Sequence, residues 1–316
     1  MNKYEHLNPG ISICRMIISF FVVCCHFSVF RLATYAVPIF MFLSFFLASP
    51  LFIENKYKKI VKKVFRLLVP FWGWGILYYI IETRLYDKEI SINELGWQLL
   101  LGHSPAINQA LWYLMDEIII IFIVLFLFTF IKKKEHRNIL LVALIIVSLL
   151  LQYTELNYQI FEGMDYKISY PLGRIAEMIP CAMSGILLGQ VDWTKVKYKY
   201  LIVGSFVLFI LAYNFMHSPM KGFAYNGIQM VIGAISISLI AIHAPIKKCK
   251  ITTCINYLAT HTLGIYCMHN VIGEWIENIY IPEYRIMLSL IIYAVCLILA
   301  IVISWIPIKV VKMMVQ

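Results

Sequence analysis

The sequence predicts an all-α, polytopic integral membrane protein of about ten transmembrane helices, one domain over residues 1–316 with both termini cytoplasmic. Three observations predict it. The chain is 61% hydrophobic and 14% charged, with a mean hydropathy of +0.80, more apolar surface than a water-soluble core of 316 residues needs. Apolar runs long enough to cross a bilayer recur along its whole length. The basic residues segregate: with those runs as alternating crossings, nineteen of the 27 Lys and Arg fall on one side and seven on the other, Arg15 lying within the first run. That asymmetry marks the basic side as cytoplasmic. It also accounts for the net charge of +10 without nucleic acid. The eight cysteines form no C-x-x-C pair and lie mostly in apolar runs, so neither a disulfide framework nor a metal site is expected.

The first run, 11–30, carries Arg15 and His26. Eleven residues at 3.6 per turn return to within roughly 20° of the starting direction, so both side chains share one helical face, roughly 16 Å apart along the axis. Ionisable groups inside a span are expensive and mark function. Two on one face at two depths predict a path that enters from the cytoplasm and ends inside the membrane. Snorkelling of Arg15 to the inner headgroups is the plainer alternative.

The second run is 34–52, and the basic stretch 53–71 follows, with Tyr57, Ile60, Val61, Val64 and Phe65 set between lysines at helical spacing. It reads as an interfacial amphipathic helix on anionic lipid, compatible with a basic rim that gathers an anionic cytosolic substrate. The third run, 67–83, leads into the longest polar loop, 84–110, expected outside and over an acceptor site. The fourth, 111–131, places Trp112, Asp116 and Glu117 just inside its outer end. The fifth is 139–153; the sixth, 170–190, opens with Arg174 and Glu177 three residues apart, a spacing that also suits a structural ion pair. Runs 200–217 and 226–245 carry no candidate. The ninth, 257–275, places His269 at a depth similar to that of His26, and 284–306 closes the set. Trp97, Trp112, Tyr113 and Trp275 near the outer mouth suit either sugar stacking or an ordinary interfacial belt. With a weakly charged N-terminus and no A-x-A site after the first run, no cleavable signal peptide is expected. A Walker loop, a dinucleotide fingerprint and a G-x-S-x-G elbow are all absent.

In this order the residues resemble the acyltransferase-3 family of integral membrane acyltransferases. Its first-span signature, Arg or Lys, ten residues, then His, matches Arg15 and His26. Residues 36–49 are similar to its second-span motif, with Ser44 followed by Phe45 where the family typically has glycine. The segment 62–71 resembles its basic run into Leu-x-Pro, and Trp112, Leu114 and Glu117 its W-x-L-x-x-E. Residues 177–189 and 262–269 resemble its later spans. The resemblance is to a stand-alone transmembrane module, with no hydrolase-like C-terminal domain expected. The resemblance implies a glycan O-acetyltransferase-like enzyme of a bacterial-type cytoplasmic membrane, using acetyl-CoA or another short acyl-CoA as co-substrate and no metal. The acceptor would be a hydroxyl of a surface polysaccharide or lipid-linked sugar. Arg15 would bind donor phosphates; His26 would act as general base or carry the acyl group itself. Glu117, Asp116, His269, Ser44, Trp112, Arg174 and Glu177 would support them. A transporter or exporter of a sugar or polysaccharide is the alternative, against which the lack of internal repeats counts; a non-catalytic binder is a third.

Overall fold

A computed structural model describes residues 7–28, 31–84, 87–102, 111–153, 164–215, 227–279 and 284–316. In chain order the helices are α1 (Pro9–Phe27), α2 (Ala36–Ile53), α3 (Tyr57–Arg84), α4 (Ile92–Leu101), α5 (Trp112–Phe130), α6 (Lys134–Tyr153), α7 (Tyr166–Leu188), α8 (Tyr198–Phe215), α9 (Ile228–His243), α10 (Lys250–Ala259), α11 (Thr262–Ile279), α12 (Arg285–Ser304) and the short α13 (Lys309–Met313). No strand occurs among the described residues. Among the described residues, seven segments are long and apolar enough to cross a membrane: α1, Leu32–Ile53, α3, α5, α6, Ile168–Leu188 and α12. Tyr198–Tyr213 and Ile228–His243 are apolar but shorter.

The chain forms two compact units. The first takes Met1–Ala33, Val64–Asp116 and Lys247–Gln316. Within it α1 packs on α10, α11 and α12, and α12 on α11. Asn8 starts α1 by accepting hydrogen bonds from the backbone N–H of Gly10 and Ile11, with Pro9 at the first helical position. The second unit takes Thr34–Lys63 and Glu117–Ile246, with α7 packed on α2 and α6, and α9 on α8 and α2. There Gly185 and Gly189 form a G-x-x-x-G face on α7. A Cβ at Gly185 would lie 2.6 Å from the Phe42 carbonyl oxygen, and one at Gly189 2.6 Å from that of Phe46. In hydrocarbon, where lipid is as apolar as leucine, such close backbone approach is what holds helices together.

Three expectations change. The ninth apolar run is not one helix but breaks at Thr260–His261 between α10 and α11. The cause is local: Thr260 Oγ1 and His261 Nδ1 both donate to the Tyr257 carbonyl, and Thr262 Oγ1 donates to that of Ala259, taking carbonyls the helix would otherwise use. The basic stretch 53–71 is not a separate interfacial helix. From Tyr57 it continues into α3, with Ile60 and Val64 buried and Val61 and Phe65 exposed. The segment 84–110 is not simply an outer loop. Part of it, 103–110, lies outside the described residues, but α4 runs back along α3: Tyr79 donates to the Ile90 carbonyl at 3.3 Å and Trp72 Nε1 to that of Leu99 at 3.0 Å. Ser91 caps the start of α4, and Gly102, at φ 68°, ends it in a left-handed conformation that glycine adopts without strain.

Candidate active site

Both polar residues of α1 meet α11. One nitrogen of the Arg15 guanidinium donates to Thr262 Oγ1 at 3.1 Å. Eleven residues further on, the His26 ring lies 4.9 Å from that of His269, centroid to centroid. The break before α11 frees Thr262 to serve as acceptor, because its own proton goes to Ala259. Between these points Tyr266 projects from the same helix, its ring edge-on to Tyr113 of the first turn of α5 at 5.8 Å. The wall of the first unit from Arg15 to His26 is therefore continuous: Thr262, Tyr266 and His269 on α11, with Tyr113 opposite. Phe27 holds the C-terminal end of α1 against α11, at a place where only glycine fits. A Cβ at Gly273 would lie 2.0 Å from the Phe27 ring.

His26 is exposed and His269 is fully buried. His269 Nδ1 stands 2.7 Å from the Tyr266 carbonyl oxygen. Arg15 is half-buried. Asp116 is buried in the same unit, and Trp112, half-buried, stands edge-on to Tyr113. Trp275 is 56% exposed and Tyr113 is buried.

The second unit holds a separate polar cluster. Lys63 Nζ lies 2.6 Å from Glu117 Oε1 and donates to Ser44 Oγ, while Ser44 donates to the same carboxylate oxygen. Glu117 is 2% exposed, so a buried carboxylate finds both a cation and a hydroxyl. The contact joins Glu117 to a lysine of the basic stretch on another helix, a partner that its own span does not predict. Lys63 was absent from the sequence candidates, yet it had a signal. It lies three residues after Ile60 and one before Val64, on the buried stripe, whereas Lys58, Lys59, Lys62 and Arg66 are exposed. Phe45 does not displace Ser44; its buried side chain stacks on Phe52 and faces the bare Gly185. Arg174 and Glu177 are both buried on α7, with the Arg174 guanidinium 5.0 Å over the Tyr170 ring.

A family model described as an acyltransferase domain matches residues 8–309. The chain belongs to the acyltransferase-3 family. The match spans both units and nearly the whole sequence, and with the apolar helices it makes the protein a multi-pass membrane acyltransferase. Neither a curated protein nor a solved structure matches the chain.

Proposed function

We propose that this membrane acyltransferase moves a short acyl group, acetyl foremost, from a cytosolic acyl-CoA to a hydroxyl of a cell-surface or lipid-linked glycan. The observation that carries the reading is the pair of contacts along one helix, Arg15 on Thr262 and His26 on His269. A guanidinium suits phosphate oxygens in bidentate geometry, and Thr262 is the only described hydrogen-bond partner of Arg15, which leaves donors over for a ligand. The flexible arm of the donor then runs along Thr262 and Tyr266 until its thioester reaches His26. There the neutral imidazole takes the proton of the acceptor hydroxyl as its oxygen attacks the thioester carbon. The new C–O bond forms, the C–S bond breaks, and the departing thiolate of CoA recovers the proton from the imidazolium.

The charge partition supports a bacterial-type cytoplasmic membrane topology of about ten crossings with both termini cytoplasmic. On that topology Arg15 is nearer the cytoplasm and His26, one residue before the end of α1, nearer the outside. The acceptor then approaches from the outer side or outer leaflet. Mass spectrometry of glycans from cells with and without the protein tests this. The expected result is a mass difference of one acyl group on an outward-facing glycan. An unchanged glycan profile in cells that express the protein would remove the glycan acceptor, and the same mark confined to cytosolic precursors would remove outside access.

A further inference from the structure

We infer that His269 is the positioning partner of His26, a histidine whose proton is fixed on one nitrogen so that the other accepts a hydrogen bond from the catalytic imidazole. A carbonyl oxygen only accepts, so the 2.7 Å contact between His269 Nδ1 and the Tyr266 carbonyl places the ring proton on Nδ1. The neutral ring then offers Nε2 as a bare lone pair. That atom is buried and has no hydrogen-bond partner in the structure, in a side chain that is 0% exposed. A buried acceptor left unpaired is costly, and here the ring beside it is His26, 4.9 Å away between centroids and tilted by 55°. Turning the exposed His26 ring brings one of its nitrogens to His269 Nε2. Its N–H on that side is then held, and its other nitrogen faces the acceptor as the base.

The inference rests on the acyl-transfer reading and gives the chemical step its orientation. When His26 takes the hydroxyl proton it becomes an imidazolium, and its second N–H charges the hydrogen bond to His269 Nε2. When His26 returns the proton to the CoA thiolate, that bond relaxes and both rings are neutral again. His269 exchanges no proton with substrate. Its part is that of the third group behind a nucleophile and its base, with a neutral imidazole in place of a carboxylate. A neutral ring suits this place, because a second cationic ring buried beside the His26 imidazolium would be repelled by it and costly to desolvate.

The test uses full-length wild type, His269→Ala and His269→Gln. Membranes containing the native acceptor are supplied with radiolabelled acetyl-CoA, and purified protein is treated with diethyl pyrocarbonate, with the ethoxyformyl group on His26 followed by mass spectrometry. In His269→Ala, kcat falls on the order of 10- to 100-fold, the usual effect of losing an orienting partner, with the KM for acetyl-CoA unchanged. Modification of His26 slows in the same variant. His269→Gln, whose amide oxygen accepts the same hydrogen bond, recovers most of both. Equal rates of His26 modification in wild type and His269→Ala overturn the inference. So does a glutamine variant that melts with the wild type but transfers no faster than the alanine one. If wild type transfers nothing from acetyl-CoA, acetyl is removed as the acyl group of the proposed function, while the rate of His26 modification still decides the histidine pair.

Discussion

Arg15 and His26 divide the work, and their variants should separate accordingly. Replacing Arg15 with Ala removes charge-assisted hydrogen bonds worth about 1.5–3 kcal/mol each, so donor affinity should fall roughly 10- to 100-fold. Calorimetric titration with CoA measures that loss, and Arg15→Lys should recover only part of it, since an ammonium lacks the fork. His26→Ala should leave CoA binding intact and lower turnover by about 10²- to 10⁴-fold, the range of a lost general base. Wild-type turnover in that variant would remove His26 from the chemistry. Lys63 and Glu117 make a different kind of prediction. Glu117 is 2% exposed, so Lys63→Ala strands a buried carboxylate and should cost on the order of 3 kcal/mol. The Lys63→Met, Glu117→Gln double variant removes both charges and should be more stable than Lys63→Ala alone, read as melting midpoints in detergent.

At the scale of elements, two short sequence features decide where helices go. The threonines and histidine at 260–262 break an apolar run and give α11 a fresh start, and with it a hydroxyl turned to Arg15. Gly185 and Gly189 set how closely α7 approaches α2, the helix that carries Ser44. The atoms a side chain at Gly185 would meet first are backbone, which cannot swing aside. Gly185→Leu should therefore cost about 3 kcal/mol or more, the upper range of overpacking. Gly204→Leu is the control, because nothing lies within 4 Å of the Cβ position there. Melting of the two variants should differ sharply, and equal midpoints would mean that the α2–α7 contact does not depend on the glycine.

At the scale of the whole molecule, each unit is assembled from separated stretches of chain. Neither folds from one continuous segment, so removing either end of the sequence takes α1 or α12 away from the wall that holds Arg15 and His26. The topology has its own test. Reporter fusions after Gln316 and within the 84–110 segment should report opposite sides of the membrane, as the basic asymmetry requires. Both reporters on one side would overturn the crossing scheme and, with it, the outward approach of the acceptor.

The sequence by itself determined what depends on composition and local period. Apolar length predicts membrane helices, and the eleven-residue spacing of Arg15 and His26 predicts one shared face; both side chains do meet α11. The ordered motifs carried the family resemblance, which the match over residues 8–309 bears out. Only the tertiary structure decided which residues meet across the chain. Arg15 and Thr262 are 247 positions apart, Ser44 and Glu117 are 73 apart, and no periodicity reaches that far. The partner of Glu117 was hidden for the same reason: hydropathy places a residue along its own span and does not name the charge it meets, here Lys63 on another helix. The return of α4 along α3 was hidden likewise, because its hydrogen bonds join tryptophan and tyrosine side chains to carbonyls whose sequence carries no mark of them.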